Sequence, residues 1–326
     1  MAAITDVPPA EVMADLKGLS AALDGAVPAK ALDRNLLIAT WNIRAFGELT
    51  ESWKAQETDE PKRDLHALAC IAEIVRRFDV VAVQEVKANL KGLRHLLKAL
   101  GPDWGFLLTD VTRGAPGNDE RMAFLYDTRR VKPSGLACEL VVPKEWLARV
   151  DADALHEQFA RTPYAVSFLS AGQTFILVTL HVVYGGSPAD RVPELKAIAQ
   201  WMAAWAKDSN AWHHNLIALG DFNIDRQGDP LYTAFTSTGL HSPDDLNAAP
   251  RTIFDTSAGG QPTAFYDQIA WFTGEGGMPA LSLAYVKGGH VDFVPHAMTA
   301  LGLTRQQLSW RLSDHYPLWA EFSIRE

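Results

Sequence analysis

Apolar residues along this chain fall into two kinds of run. The first is nearly solid: NLLIATWNI over 35–43, DVVAVQEV over 79–86, TFILVTLHV from Thr174, NLIALGDF from Asn215 and AFYDQIAWF from Ala264. Unbroken runs of this length, rich in Val, Ile and aromatics, are expected of strands buried on both faces. The second kind recurs at a period near 3.6. Leu65, Leu68, Ala69, Ile71, Ala72 and Val75 mark a helix within 63–78, NLKGLRHLLKAL marks another from Asn89, and PELKAIAQWMAAWAKD a third from Pro193. Each carries one apolar stripe to lay on a sheet. TAFTSTGL from Thr233 reads as a short helix. WGFLLTDVT and RMAFLYDT read as strands on either side of an exposed loop, RGAPGNDE. AVSFLS pairs with TFILVTLHV as a hairpin across Ala171 and Gly172, and SDHYPLWAEFSI closes the chain as a strand.

Strands interleaved with helices predict an α/β fold in which helices cover sheets. Residues 1–35 read as an N-terminal extension holding one short amphipathic helix, limited by Pro28, ahead of a single domain over 36–326. Residues 133–163 are less regular. Residues 273–295 form a glycine-rich insert in which SLAYVKGG adds an edge strand. With 326 residues, 48% of them apolar, the chain can bury a large core. It shows neither a long apolar span nor a basic segment leading into an apolar one, which predicts a cytoplasmic protein without a membrane span. Cys70 and Cys138 both lie in apolar patterns and are expected as core thiols. The formal charge of −9 weakens long-range attraction to polyanions, although a bound cation or a local basic patch changes the field nearby.

One event repeats along the chain: an apolar strand stops and a polar residue stands at its end. Asn42, Glu85, His181, Asp221 and Asn223 follow strands, and Asp267, Asp314 and His315 precede them. Strand ends along one edge of a packed sheet are rigid mounts for a site. Taken singly, each is an ordinary turn residue, surface acid or core histidine; together they suit one task. Asn42, Glu85 and Asp314 are hard oxygen donors for Mg²⁺ or Mn²⁺. No CxxC or HExxH accompanies them, which argues against zinc. His315 can act as a base near neutral pH, with Asp267 fixing its tautomer. His181 and Asn223 can donate to phosphoryl oxygens, and Asp221 can orient an attacking water.

The stretches WNIRAFG, RRFDVVAVQEV, ERMAFLY, LH at 180–181, GDFN, YDQI and SDHYP, in this order, resemble the endonuclease/exonuclease/phosphatase superfamily, and within it the deoxyribonuclease I type. The resemblance runs from about Leu36 to Phe322. It implies a four-layered α/β sandwich, with two mixed sheets packed face to face and helices outside. It also implies Mg²⁺- or Mn²⁺-dependent hydrolysis of a P–O bond. By motif position it makes Asn42 and Glu85 metal ligands, with Asp314 at or near the metal. It makes His315 with Asp267, and His181 with Glu120, the two histidine–acid pairs. It sets Asp221 and Asn223 around the attacked phosphate, Arg161 as a phosphate contact and Arg44 as a wall of the site.

Two positions depart from the deoxyribonuclease I pattern. Asn118 stands where that type carries a tyrosine stacking in the DNA minor groove, and Lys87 where it carries a groove arginine. Lysine keeps the charge but lacks the bidentate fork. Arg44, Lys87, Lys91, Arg94, Arg113 and Arg121 outline a modest basic face. The expected substrate is therefore DNA, with a small phosphorylated metabolite, nucleotide or phospholipid as the alternative and no obligate protein partner implied. Arg191, in the loop after His181, is expected to cap the next helix. Residues 271–286 are a weak candidate for an apolar membrane-facing hairpin.

Overall fold

The computed structural model describes residues 2–113, 117–140, 161–208, 213, 215–255, 262 and 264–324. Twelve strands among these residues form two six-stranded sheets. They are β1 (Asn35–Phe46), β2 (Val80–Lys87), β3 (Trp104–Leu108), β4 (Glu120–Asp127), β5 (Lys132–Glu139), β6 (Tyr164–Ser170), β7 (Gln173–His181), β8 (Leu216–Asp221), β9 (Leu240–His241), β10 (Asp267–Phe272), β11 (Ala284–His290) and β12 (Leu318–Ser323). The first sheet runs β11-β12-β1-β2-β4-β3 and the second β5-β6-β7-β8-β10-β9. Each sheet has one parallel pair at its centre, β1 with β2 and β7 with β8, and antiparallel neighbours elsewhere. The helices are α1 (Ala10–Ala26), α2 (Leu65–Val75), α3 (Lys91–Leu100), α4 (Val192–Lys207), α5 (Pro230–Thr236), α6 (Asp244–Ala248) and α7 (Arg305–Ser309).

The period-2 geometry of strands explains the solid runs. Leu36 and Ile38 of β1 point between the sheets, where they meet Phe168, Leu177, Ile217 and Leu219. Leu37, Ala39 and Trp41 point outward under Leu19, Leu68, Ile71 and Val75 of α1 and α2. The second sheet is covered in the same way by α4 and α5, through Leu195, Ile198, Met202 and Phe235. The result is four layers, helix–sheet–sheet–helix, as expected. The parallel pairs lie back to back, with β1 and β2 both touching β8, so their carboxyl ends open onto the same edge.

Several local expectations change. β1 continues to Phe46, and its register against β2 slips between Asn42 and Phe46. In place of irregular chain, residues 132–139 form a strand, β5, whose register against β6 shifts between Pro133 and Ala137, and residues 141–160 lie outside the described residues. The short helix begins at Pro230, where the Asp229 carboxylate accepts from the Tyr232 amide. SLAYVKGG supplies the edge strand β11 of the first sheet. Residues 271–286 are not an apolar hairpin facing outward. They cross from one sheet to the other with Trp271, Phe272, Met278 and Leu283 buried. The helix of the N-terminal segment packs in the same apolar cluster as α2 and β1. Cys70 is buried, Cys138 is half-buried on β5, and both are free thiols. Among the described residues no helix is long and apolar enough to cross a membrane.

Candidate active site

The carboxyl ends of the two parallel pairs line a cleft of about 310 Å³. Asn42, Glu85, Asn118, Glu120, Arg161, His181, Asp221, Asn223, Asp314 and His315 all face it. In the second sheet the placement is a matter of register: His181 of β7 pairs with Asp221 of β8, which pairs in turn with Asp267 of β10. Three chemical groups thus form one row across three strands. Gly220 lets β8 run close to β7, since a Cβ there would lie 2.1 Å from the Leu180 carbonyl oxygen, and its φ is +143°.

In the first sheet the mounts are bulges. The ladder of β2 against β4 shifts between Val83 and Val86, and Glu85 sits in the shift with φ 61°. A left-handed glutamate carries a backbone cost that neighbours must offset. They do so by gripping the carboxylate. The Ala45 amide donates to Oε2 at 2.7 Å, and Asn42 Nδ2 donates to Oε1 at 3.1 Å. The same Nδ2 donates to Asp221 Oδ2 at 2.9 Å, joining the two sheets. Asn42 Oδ1 is left buried with no hydrogen-bond partner. An orphaned amide oxygen beside the Glu85 and Asp221 carboxylates, without sulfur donors, fits a hard divalent cation.

Two imidazoles are each backed by a carboxylate. Asp267 Oδ2 lies 2.6 Å from His315 Nδ1, and Glu120 Oε2 lies 3.2 Å from His181 Nδ1. Both pairs span the sandwich. Glu120 belongs to the first sheet and His181 to the second, whereas Asp267 belongs to the second and His315 precedes β12 of the first. Burial opposes protonation of His315, but the Asp267, Asp221 and Asp314 carboxylates outweigh it and raise its pKa well above the usual imidazole range. Burial raises the carboxyl of Asp267 against the pull of His315 and Arg251. Burial also acts to raise Glu120, but His181, Arg161 and Lys87 prevail and hold it down at about 2.

Glu120 is the hub of its side of the cleft. Arg161 Nε approaches at 2.7 Å, Lys87 Nζ at 2.8 Å and Asn118 Nδ2 at 2.5 Å. Lys87 and Asn118 are therefore tied to an acid, where the sequence suggested side chains free to meet a substrate. Lys91 is likewise matched, with Glu48 at 3.0 Å and Glu51 at 3.2 Å. Arg44 lies 3.4 Å from Asp314, and its guanidinium sits 3.7 Å from the ring centre of the half-exposed Trp310. Asp267 is fully buried behind His315. Asn223 has φ 49°, a conformation asparagine tolerates better than most residues. Its Nδ2 donates to the Val182 carbonyl at 2.7 Å.

Supports not foreseen from the sequence complete the site. Ser313 Oγ donates to the Asn42 carbonyl at 2.6 Å and accepts from the Arg44 and His315 amides. Arg63, expected to start a helix, is buried and donates to the carbonyls of Arg44, Ala45, Arg311 and Leu312. Arg191 makes no cap with its side chain. It donates instead to the Asn223 carbonyl and to Asp225. Tyr184 and Tyr266 line the cleft as well. Ser313 and Tyr266 adjoin motif residues in sequence, whereas nothing in the sequence near Arg63 or Arg191 marks their roles.

Comparison with known proteins agrees with this geometry. The profile described as Endonuclease/Exonuclease/phosphatase family matches residues 39–315. A deoxyribonuclease of Thioalkalivibrio sp. (strain K90mix) is 31% identical over 204 residues, 61% of this chain but 48% of its own length. The chain thus spans about half of that relative. Deoxyribonuclease-1 of Bos taurus is 26% identical over 317 residues, 93% of this chain and 96% of its own. Two solved structures share the fold. One is a mannosyl-6-phosphatase of Bacteroides thetaiotaomicron VPI-5482 (TM-score 0.54, 18% identity, 88% of this chain and 99% of that one). The other is a humanized D. rerio TDP2 (TM-score 0.56, 16% identity, 88% and 98%). The profile match covers most of the chain, and the chain belongs to the endonuclease/exonuclease/phosphatase family of phosphoester hydrolases.

Proposed function

We propose that this chain is a divalent-metal-dependent phosphodiesterase that cleaves DNA internally. The observation that carries the reading is the pair of carboxylate-backed imidazoles, His315 with Asp267 and His181 with Glu120, in one cleft with the Asn42–Glu85–Asp221 oxygen cluster. Water attacks phosphorus, the P–O bond to the leaving oxygen breaks, and the water's proton passes to one imidazole while the other supplies a proton to the leaving oxygen. Asp267 holds the His315 ring by Nδ1, leaving Nε2 for that exchange, while His181 turns Nδ1 toward Glu120 and Nε2 toward Asp221, at 3.2 and 3.7 Å. Asn223 and Arg161 hold the phosphoryl oxygens, and Asp221 orients the water. Asn42 Oδ1 and Glu85, with Asp314 on the same cleft, would hold Mg²⁺ or Mn²⁺, which neutralises charge on the phosphoryl group when bound.

A second reading, hydrolysis of a small phosphate ester, is favoured by one observation: Lys87 and Asn118 are held by Glu120 and offer no open groove contact. Purified protein with Mg²⁺ or Mn²⁺ on supercoiled plasmid and on p-nitrophenyl phosphate separates the two. Nicking that disappears in His315→Ala is expected. Intact plasmid with mutant-sensitive release of p-nitrophenol would replace the nuclease with a phosphatase.

A further inference from the structure

Tyr184 stands three residues after His181 and lines the same cleft, yet 61% of it is exposed. A single exposed aromatic is ordinary on a protein surface; what distinguishes Tyr184 is its place on the cleft wall and the way it is held. The loop that carries it is not slack. Asp190 Oδ2 accepts from the Gly186 amide at 3.0 Å and the Ser187 amide at 2.8 Å. Beneath the ring lies the Arg191 guanidinium, 4.9 Å from the ring centre and itself 2% exposed. Arg191 is fixed by the Asn223 carbonyl and by both oxygens of Asp225, at 3.1 and 3.2 Å. One buried cation therefore positions the ring and the Asn223 loop together. A ring held this way loses little freedom when a flat group lies on it.

We propose that Tyr184 is a stacking platform for a nucleobase next to the attacked phosphate, and that the substrate class is DNA with unpaired bases. The proposal rests on the nuclease reading and narrows it. A base lies face-on against a ring only when it is out of the duplex stack, and aromatic platforms beside a phosphate track are how single strands are held. The two side chains that would otherwise touch a duplex groove, Lys87 and Asn118, are turned onto Glu120.

The test measures cleavage of one oligonucleotide as a single strand, as a duplex, and as a strand whose central nucleotides are abasic spacers. Wild type, Tyr184→Ala and Tyr184→Trp are compared. Wild type is expected to favour the single strand over the duplex. Tyr184→Ala should raise KM for the single strand by roughly tenfold or more, the span of one base–aromatic stack, with the loss falling on KM rather than kcat; Tyr184→Trp should restore it. Loss of the ring and loss of the bases should be non-additive, because both remove one contact. Equal losses on the normal and abasic strands, or a duplex cleaved as well as the single strand by all three proteins, would overturn the platform while leaving the nuclease. If wild type cleaves no DNA but releases p-nitrophenol from p-nitrophenyl phosphate, the nuclease reading itself fails and the platform with it.

Discussion

The two imidazoles resemble each other in outline but not in electrostatics. His315 sits among three acids, Asp267, Asp221 and Asp314, and its protonated form is favoured. His181 shares its acid, Glu120, with Lys87, Arg161 and Asn118. Glu120 is therefore stabilising as well as positioning. Its folded carboxyl lies near 2 against an ordinary 4.5, so the ionised form stabilises the fold. That contribution is fully present above about pH 4.5 and is lost as the pH falls toward 2. A shift of this size corresponds to up to about 3 kcal/mol, at roughly 1.4 kcal/mol per pH unit. Urea midpoints measured from pH 6 down to pH 3 should fall steeply for wild type and more gently for Glu120→Gln. Parallel curves for the two proteins would show that Glu120 gains nothing from its partners.

At the level of elements, most strands and the helices α2, α3 and α4 were legible because burial on both faces leaves solid apolar runs and burial on one face leaves a 3.6 period; β5 and β9 were not, and α1, expected to be short, runs to 17 residues. The row His181–Asp221–Asp267 was legible too, since those residues end or begin their strands. Asn42 and Glu85 were located correctly as positions but misread as strand ends. Both strands run on: Glu85 sits inside a bulge of β2, and Asn42 is the last in-register residue of β1 before its own slip. No pattern of residue types announces a bulge at a glutamate. Arg63, Ser313 and Arg191 were illegible for a different reason: their role is to satisfy carbonyls contributed by distant segments, and those partners exist only in the fold. Asp15 is a further case. From α1 it accepts from the Met298 and Thr299 amides at 2.7 and 2.9 Å and lies 2.9 Å from His66 Nε2 of α2. Removing it strands donors on two other segments, residues 298–299 and α2. Asp15→Ala should cost about 3 kcal/mol in chemical denaturation, while turnover at low temperature is retained because the residue lies outside the cleft. A change below about 0.5 kcal/mol would mean that this polar anchor contributes little and that α1 is held by its apolar contacts alone.

The whole molecule carries −9, and three of the six residues of its basic face are paired with acids. Lys87 faces Glu120, Lys91 faces Glu48 and Glu51, and Arg44 faces Asp314. Each such pair has already exchanged its counterions for a carboxylate, so little is released when a polyanion arrives. Arg161, in the cleft, is held by Glu120 but lies where phosphate would compete for it. A protein that grips DNA through many phosphates loses affinity with a logarithmic salt slope of about −0.9 per duplex contact, or about −0.7 per single-strand contact. Arg161, with Arg94, Arg113 and Arg121, which form no ion pair with an acid among the described residues, leaves room for only a few such contacts, and stacking on Tyr184 adds none. The dependence of log KM on log[NaCl], at fixed Mg²⁺, should therefore be shallow, with a magnitude of about 3 or less. Replacing Glu48 and Glu51 by Gln frees Lys91 and should steepen the slope by less than about 1. A wild-type slope of about 5 or more would place a long phosphate track on this surface, and the narrow, stacking-based grip argued from Tyr184 would have to be abandoned for an extended duplex groove.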